Sequence, residues 1–400
     1  MNAEHVLPTA IVLGLSPTGL YAIRELAAEN IPVIGVGSER QCGAASRYLQ
    51  DVILEPDEDL RLAELIRRAG NDSSKPLLIP TSDQDLEFIF RFEEELARHF
   101  VFQTSYKTGL AAKILTKADF YRLCDEHGIE YPGLKEMSTA DMPGFAESLE
   151  FPVLIKPSRI HDIKAEMAGQ KGWVARNPAE YLEVVASIPD HAGTLLVQEI
   201  VPGPESEITL FTAYFDQEGR AHQSFTCRKL RQFPPGFGSA SLVISEDEPE
   251  TRDIAERFLG KIGFHGIAGV EFKRDPRTGK RKIIEINPRP SLWFSASTAA
   301  GKTVALAAYR DLTGAGPLPE DRAQRNGVVW RYALKDSYSA AFYRFKKDFV
   351  LPPPDVSAAR RASKRVFAVA VPGDRAPAWA EVKSYLRKGL QRIFPGKQRR

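Results

Sequence analysis

The stretch Lys282–Ser291, KIIEINPRPS, decides which fold the rest of this sequence is expected to form. It places Glu285, Asn287 and Arg289 at every second position after two isoleucines, and Pro290 ends the pattern. Successive side chains of a β-strand point to opposite faces of the sheet, so these three are expected on one face. The pattern therefore predicts a strand that presents a carboxylate, an amide and a guanidinium together.

The residues before this stretch predict its partner strand. In GVEFKRDPRTGKRKIIEIN (Gly269–Asn287), a turn rich in Asp, Pro and Gly separates two apolar strands, which is typical of a β-hairpin. Glu271 is then expected opposite the strand of Glu285, so that two carboxylates and the Asn287 amide oxygen converge. Such hard oxygen ligands suit Mg²⁺, which takes few protein groups and completes its shell with phosphate oxygens and water. An adjacent Arg289 is suited to a phosphoryl group in transfer.

Two lysines and a turn upstream favour a nucleotide site over the alternative, an exposed hairpin with a weak surface ion pair. Lys156 ends the apolar strand FPVLIKPS, where an ammonium held beside a core edge favours an anion. Lys117, in ILTKADF, is less constrained. In LVQEIVPGPESE a strand leaves into a Pro-Gly turn, where the backbone of Glu199–Val201 is expected to be free to bind an adenine edge. Glu207 is expected within reach of a ribose.

The N-terminal part has the pattern of a doubly wound α/β domain, in which apolar strands end at polar loops and helices follow. Its first turn, Gly14–Gly19, is G-x-x-x-x-G, which lacks both the dinucleotide fingerprint G-x-G-x-x-G and the Lys-Ser/Thr of a P-loop. At the next strand-to-helix junction, Ser82 or Asp83 is expected either to cap the helix or to face the ligand crevice. Together with Ser16 and Thr81, they give this crevice polarity without defining the shape of a substrate.

From Phe151 the sequence changes to short β-rich segments, with helices predicted at about 251–262 and 295–313, which is typical of an α+β domain. Beyond Gly327 the signals weaken, and short strands are expected in GVVWRYAL and in ARRASKRVFAVAVPGD. The predicted domains are residues 1–110, 111–200, 201–325 and 326–400.

The ordered elements Lys117, IKPS, VQEIVPG with a later Glu, GVEF and IIEINPRPS resemble the ATP-grasp superfamily over about residues 8–310. More narrowly, the sequence resembles the carboxylate-amine ligases that include the D-aspartate ligases, and the ATP-binding half of carbamoyl-phosphate synthetase. The resemblance implies a fold of α/β plus α+β type. A Rossmann-like pre-ATP-grasp domain is expected first, followed by a two-subdomain ATP-grasp fold.

The resemblance also implies how the matching residues bind ATP. Lys117 and Lys156 are expected to contact its phosphates, the second also near the adenine side. Glu199 and Val201 are expected at the adenine, and Glu207 at the ribose hydroxyls.

A second group of matching residues is implied to hold the metal and the transferred phosphate. Glu271, Glu285 and Asn287 are expected to bind Mg²⁺, for which Mn²⁺ is a substitute. Arg289 is expected to face the transferred phosphate and the acyl phosphate.

The implied enzyme is an ATP-dependent ligase that forms a C–N bond and produces ADP. A substrate carboxylate attacks the γ-phosphate to give an acyl phosphate, and an amine then displaces phosphate to form an amide or peptide bond. Such sites act through positioning and charge stabilisation and need no protein nucleophile. Ligation to a thiol or to ammonia also stays open, as do two other functions. These are a non-catalytic nucleotide-binding protein and a nicotinamide-dependent oxidoreductase. The turn Gly14–Gly19 lacks the second glycine of the dinucleotide fingerprint, which counts against the oxidoreductase.

The segment CRKLRQFPPGFG supplies further candidate cations. Arg228, Lys229 and Arg231 lie where members of the family present positive charge to the substrate carboxylate or acyl phosphate. The alternative is a solvated basic face. We expect at least one of the three to enter the site, and the turn Gly236–Gly238 to be mobile.

The loop 157–172, PSRIHDIKAEMAGQKG, departs from the family pattern. Many relatives have a Gly/Ser-rich flap over the phosphates here, whereas this loop has only Gly169 and Gly172. A stiffer or longer flap is expected. His161 and Lys164 are either part of it or exposed to solvent.

Composition limits the remaining classes of function. The net charge of +2 does not indicate a nucleic-acid binder. The N-terminus lacks secretory signal chemistry, and no apolar run is long enough to span a bilayer. Cys42, Cys124 and Cys227 lie far apart without metal-ligand spacing, so they are expected to be packing residues in a reducing cytoplasm. The expected partners are a small carboxylic acid and an amine, with a homodimer as the expected assembly.

The last eighteen residues, 383–400, are strongly basic and contain no acid. They are expected to form either a disordered solubilising tail or a contact with anionic lipid at the inner face of a membrane. Their basic residues are Lys383, Arg387, Lys388, Arg392, Lys397, Arg399 and Arg400.

Overall fold

A parallel four-stranded sheet opens the computed structural model, which describes residues 7–70, 74–157, 172–189, 193–346 and 348–393. Its strands are β1 (Ala10–Leu13), β2 (Val33–Gly37), β3 (Asp51–Leu54) and β4 (Leu77–Pro80). The order β3-β2-β1-β4 places the first strand inside the sheet, so the carboxyl ends of β1 and β4 lie side by side. This edge is where ligands bind in doubly wound sheets.

Helices follow the strands of this sheet, and two serines fix where two of them begin. Ser16 Oγ accepts a hydrogen bond from Thr18 N, and Ser82 Oγ accepts one from Asp85 N, so the predicted helix cap at Ser82 is confirmed. The helices are α1 (Pro17–Ala27), α2 (Glu58–Ala69), α3 (Asp83–Arg91), α4 (Glu93–His99), α5 (Thr104–Lys107) and α6 (Leu110–Leu115).

The turn after β1 requires glycine at position 14. Gly14 has a φ of 92°, and a Cβ atom at this position would lie 2.3 Å from Thr81 Oγ1. A side chain would therefore separate β1 from the loop that follows β4.

A second, antiparallel sheet covers the middle of the chain. Its strands are β5 (Leu134–Ser138), β6 (Val153–Pro157), β7 (Trp173–Ala175) and β8 (Thr194–Glu199), in the order β5-β8-β6-β7. Helix α7 (Lys117–His127) precedes it and ends at the left-handed Gly128, as predicted, and α8 (Pro178–Ser187) lies between β7 and β8. The flap residues 158–171, which include His161 and Lys164, lie outside the described residues.

The third sheet has seven strands in the order β13-β12-β9-β10-β11-β14-β15. All neighbouring pairs are antiparallel except β14 and β15. The strands are β9 (Ile208–Phe215), β10 (Ala221–Phe233), β11 (Ser239–Ser245), β12 (Gly266–Arg274), β13 (Arg281–Asn287), β14 (Val328–Arg331) and β15 (Lys364–Phe367).

The helices around this sheet are α9 (Pro249–Lys261), α10 (Ser295–Ala299), α11 (Val304–Thr313), α12 (Ala333–Phe345), α13 (Ser357–Arg360) and α14 (Ala376–Ile393). The single helix predicted at 295–313 is wrong, because the chain breaks at Gly301, which has a φ of 93°. The disordered tail is also wrong for residues 383–393, which belong to α14.

The C-terminal part of the chain closes back onto the first domain. Asp374 is buried and accepts hydrogen bonds from Arg24 Nε (2.9 Å), Ser46 Oγ (2.8 Å) and Arg47 N (3.1 Å). One cluster of buried side chains also runs from β1 and α1 to β9, β10 and α11. The first and third sheets therefore share a core, which fixes the crevice of the first against the third.

The architecture confirms the predicted fold class, α/β followed by α+β. Cys42, Cys124 and Cys227 are buried and free, as expected of packing residues. In the described part of the chain, no helix is both long and apolar enough to cross a membrane.

Candidate active site

The β12–β13 hairpin places three of the predicted metal ligands on one face. Glu271 lies directly opposite Glu285 in the strand register, and Gly269 lies opposite Asn287. Glu271, Glu285 and Asn287 therefore project to the same side of the sheet, as predicted. Glu285 is exposed to solvent, whereas Glu271 is partly buried.

Lys229 reaches this face from β10, two strands away. Its Nζ lies 2.5 Å from Glu271 Oε2, and its side chain is only 1% exposed. The same Nζ lies 3.4 Å from Gln232 Oε1, and among the described residues Gln232 Nε2 is a buried donor without a hydrogen-bond partner. A buried ammonium thus balances one of the two carboxylates and is held at the predicted reaction centre.

The other two predicted cations of this segment are held in ion pairs elsewhere. Arg228 donates to both oxygens of Glu246, at 2.8 and 2.9 Å. Arg231 donates to both oxygens of the buried Asp336 on α12, at 2.7 and 2.9 Å. Of the three cations, Lys229 is the one that the described contacts bring to the hairpin carboxylates.

Arg289 joins the hairpin to the crevice of the first sheet. Its Nε and Nη2 lie 2.8 and 2.7 Å from Asp83 Oδ1 at the start of α3. Asp83 remains 58% exposed, so this carboxylate is accessible from solvent while it is paired. The ends of β1 and β4 therefore lie next to Arg289, the residue predicted to face the transferred phosphate.

Lys156 belongs to a polar pair on the second sheet. Its Nζ donates to Gln198 Oε1 at 2.7 Å, and Gln198 Nε2 donates to Tyr121 Oη at 2.7 Å. Lys117 is at the start of α7, and its Nζ lies 5.6 Å from the centre of the Phe120 ring. The described contacts do not bring the two lysines together.

The segment Glu199–Val201 connects the second sheet to the third. The expectation of a free backbone is wrong for two of its N–H groups, because Glu199 N donates to Gly133 O (2.8 Å) and Ile200 N donates to Pro152 O (2.9 Å). Both bonds hold the connecting segment in place against its neighbours.

A buried lysine supports the turn that follows. Lys273 Nζ donates to the carbonyls of Val201 (2.7 Å) and Gly203 (2.8 Å), and burial lowers the pKa of Lys273 to about 8. The Glu199 side chain is also occupied, since its carboxylate accepts from Gly133 N (2.9 Å) and Lys282 Nζ (2.8 Å). Contacts from Glu199 to a ligand are therefore left to its main-chain carbonyl.

Sequence reasoning missed Glu205, which lies two residues before the predicted ribose ligand Glu207. Glu205 is fully buried and accepts hydrogen bonds from Gln232 N (3.0 Å), Tyr343 Oη (2.6 Å) and Gly236 N. Burial raises the pKa of its carboxyl. The bonds from Gln232 N and Gly236 N hold the end of β10 and the turn after it against Glu205. These contacts do not support the prediction that the turn Gly236–Gly238 is mobile.

The donor set fits Mg²⁺ better than a metal that prefers nitrogen or sulfur. A metal that prefers nitrogen or sulfur would need a different site, and among the described residues no group of three or more His, Cys, Asp and Glu side chains lies together in a way that could hold a metal ion. The face formed by Glu271, Glu285 and Asn287 offers two carboxylates and one amide oxygen. Such a set leaves positions in an octahedral shell for phosphate oxygens and water.

Comparisons with known proteins agree with the fold class. No protein-family model matches the sequence. A D-aspartate ligase of Enterococcus faecium is 27% identical over 240 residues, which cover 58% of this chain and 56% of the ligase. The carbamoyl phosphate synthase large chain of Thermotoga neapolitana is 26% identical over 303 residues, covering 72% of this chain and 27% of the synthase.

A solved structure shows the same fold at lower identity. The biotin carboxylase domain of Hydrogenobacter thermophilus 2-oxoglutarate carboxylase, a dimer in complex with MgADP and bicarbonate, superposes with a TM-score of 0.61 and 13% identity. The match covers 81% of this chain and 74% of that domain. The chain spans about half the length of the D-aspartate ligase and about a quarter of the synthase.

Proposed function

We propose that this chain is a member of the ATP-grasp superfamily and an ATP-dependent carboxylate-amine ligase that releases ADP and phosphate. The observation that carries the proposal is the hairpin face on which Glu271, Glu285 and Asn287 lie beside the buried ammonium of Lys229. In this proposal residues 1–110 contribute the substrate crevice. Residues 111–200 and 201–325 enclose ATP, and residues 326–400 pack against the domain that holds the metal site.

The reaction consists of two displacements. An oxygen of the substrate carboxylate attacks the γ-phosphorus of ATP, the bond to the β-phosphate oxygen breaks, and ADP leaves an acyl phosphate behind. The amine nitrogen then attacks the acyl carbon, orthophosphate departs, and an amide or peptide bond remains. Each step gathers negative charge at the transferred phosphoryl group, so cationic side chains around it lower the barrier.

The chain supplies this positive charge from two directions. Lys229 keeps an ammonium at the Glu271 carboxylate, and Arg289 extends a guanidinium from the end of β13. Glu271, Glu285 and Asn287 would hold Mg²⁺, which neutralises phosphate charge when it is bound. Lys156, Lys117 and Glu207 are proposed to bind the phosphates and the ribose, and the carbonyl of Glu199 with Val201 the adenine.

The substrates are proposed to be a small carboxylic acid and an amine that meet at the crevice beside Asp83 and Arg289. A homodimer is proposed as the assembly, supported by the dimer of the biotin carboxylase domain with the same fold. Sedimentation velocity over a range of protein concentrations tests it, and a monomer throughout would reject it.

The experiment that tests the function measures ADP and phosphate release from Mg-ATP across a matrix of carboxylic acids and amines. Glu285→Ala serves as the blank. Acid-dependent release that disappears in the variant is the expected result. Nucleotide binding without turnover in any combination would favour the second function, a non-catalytic nucleotide-binding protein of the same fold.

A further inference from the structure

Exposed apolar side chains concentrate in the C-terminal part of the chain. Of the eleven large apolar side chains that are exposed in the described residues, eight lie between positions 334 and 386. Residues 334–400 also contain sixteen basic and five acidic residues, a net charge of +11, whereas residues 1–333 carry −9. The eight side chains are Leu334, Tyr338, Phe345, Phe367, Trp379, Val382, Tyr385 and Leu386.

Helix α14 arranges part of this apolar surface as a stripe. Trp379, Val382 and Leu386 follow the spacing i, i+3, i+7, which places them on one face of the helix. Trp379 is 73% exposed and Leu386 is 64% exposed. We call these three residues the α14 stripe.

The opposite side of α14 is held against the rest of the molecule. Glu381 accepts a hydrogen bond from Tyr332 Oη, and Asp374, just before the helix, is fixed to Arg24 and Ser46. The helix is therefore anchored with its stripe turned outwards. Exposure of a tryptophan and a leucine on an anchored helix loses free energy unless another surface covers them.

The charges beside the stripe indicate what covers it. Lys383 and Arg387 lie four and eight residues after Trp379, so they form a row beside the stripe on the helix surface. A helix that combines an aromatic and aliphatic face with flanking basic residues is typical of one that lies in the interface of an anionic bilayer. A nucleic-acid partner would bind the basic side chains through its phosphates and would leave the α14 stripe exposed.

We propose that the α14 stripe, with Lys383 and Arg387, docks on the surface of an anionic lipid bilayer. The apolar residues enter the boundary between headgroups and acyl chains, and the two cations remain at the headgroups. The rest of the protein stays outside the membrane. Docking does not depend on the proposed ligase activity, so it is measured without ATP.

Helix α12 connects this surface to the candidate active site. The residue before α12, Tyr332, contacts Glu381 on α14, while Asp336 and Ser339 of α12 bind Arg231 and the carbonyl of Gln232 on β10. The strand that carries Lys229 is therefore fixed relative to the docked helix. If the proposed function holds, a lipid-linked acid or amine is the class of substrate that this arrangement favours.

The test is flotation of the full-length protein with vesicles. One set contains phosphatidylglycerol and phosphatidylcholine, and the other contains phosphatidylcholine alone, each at low and high salt. We expect binding to the anionic vesicles, weakened by salt. Neutralising two charges in Lys383→Gln/Arg387→Gln is expected to lower the affinity roughly tenfold or more, and Trp379→Ala/Leu386→Ala is expected to lower it to a similar extent.

The matched control is Leu60→Ala, which removes a 60% exposed leucine from α2 in the first domain. It should bind vesicles like the unmodified protein. Equal binding to neutral and anionic vesicles, or equal affinity of the stripe variant and the control, would overturn the proposal. So would lipid-free sedimentation in which Trp379→Ala/Leu386→Ala converts a dimer to a monomer without any loss of vesicle binding, because the stripe would then cover a second copy of the chain.

Discussion

At the scale of single residues, the hairpin carboxylates allow catalysis to be separated from stability. Glu285 is exposed, so its replacement leaves no cavity and no buried unpaired group. Glu285→Gln is expected to lower kcat by about 100-fold or more, because it removes charge from the proposed metal site. Its free energy of unfolding in urea should change by no more than about 0.5 kcal/mol. Glu218→Gln, an exposed carboxylate on the turn between β9 and β10, is the control and should retain full phosphate release.

The neighbouring cations of β10 make a second prediction at this scale. Lys229 contacts Glu271, whereas Arg228 is paired with Glu246. Lys229→Met is expected to lower kcat by about 100-fold through loss of positive charge at the phosphoryl group. Arg228→Met should keep kcat within about threefold, since its guanidinium contacts Glu246 and not a carboxylate of the hairpin. Comparable losses in the two variants, measured by phosphate release, would contradict the assignment of Lys229.

Some of these residue roles were visible in the sequence, and others were not. The alternation of Glu285 and Asn287 and the turn before them predicted the hairpin and the shared face of these side chains correctly, because both follow from local strand geometry. Which of the three cations reaches the carboxylates depends on β9 lying between β10 and β12. That neighbour relation is set by the whole sheet, so no local pattern contains it.

At the scale of elements, a carboxylate from the first domain caps a helix that packs on the third sheet. Glu25 on α1 is buried and accepts hydrogen bonds from Ala305 N (2.8 Å) and Leu306 N (3.1 Å) at the start of α11. Burial raises the pKa of this carboxyl to about 7. The contact joins the two parts of the molecule that form the crevice.

Glu25→Ala is expected to reduce the free energy of unfolding by about 3 kcal/mol, because it removes the acceptor of Leu306 N and Thr298 Oγ1 and leaves Ala305 N with Tyr21 Oη alone. Glu25→Gln should lose less, since its amide oxygen still accepts. Urea denaturation provides the measurement, with the exposed Glu29→Ala as a control that should change nothing. An alanine variant as stable as the glutamine variant would show that the cap contributes little.

Element boundaries show where sequence patterns stop being informative. Helix α7 was predicted to its end, because Gly128 takes the left-handed conformation that terminates helices. The break between α10 and α11 was missed, although Gly301 marks it. A single glycine inside an apolar periodic segment does not distinguish an interrupted helix from a continuous one.

At the scale of the whole molecule, His265 joins the first domain to the third sheet. Its titration also makes the free energy of unfolding depend on pH. Its Nδ1 accepts a hydrogen bond from Thr104 N (3.1 Å), and its Nε2 lies 3.0 Å from Tyr214 Oη. Burial lowers the pKa of His265 below its usual value. A proton on Nδ1 would face the Thr104 N–H, so the folded state favours the neutral ring.

Because the folded-state pKa is depressed, the stabilisation is present above the unfolded pKa of about 6.5 and is lost as pH falls through the folded pKa. The contribution of His265 to the free energy of unfolding should therefore fall from about pH 7 to about pH 5, whereas the raised pKa of Glu25 makes a contribution of opposite sign over the same range. The measured quantity is therefore the difference in free energy of unfolding between the unmodified protein and His265→Gln, which should fall as the pH falls. Equal slopes in the His265 variant and the unmodified protein would rule out this contribution.

The contact between Arg289 and Asp83 marks the limit of prediction for the whole molecule. Both residues were singled out from their local sequences, one for phosphate and one for a helix cap or a crevice. Their pairing depends on how the first sheet packs against the third, through the shared core. The same packing turns the stripe of α14 outwards, which composition alone did not indicate.

The measurement that tests the proposed acyl-phosphate chemistry most directly is hydroxamate formation with Mg-ATP, a pool of carboxylic acids and hydroxylamine in place of the amine. Hydroxylamine intercepts an acyl phosphate whatever the natural amine is. We expect hydroxamate to form in an acid-dependent manner, one ADP to appear for each hydroxamate, and both to disappear in Glu285→Gln. Release of AMP in place of ADP, or hydroxamate formation that Glu285→Gln leaves unchanged, would contradict the proposed site and its chemistry.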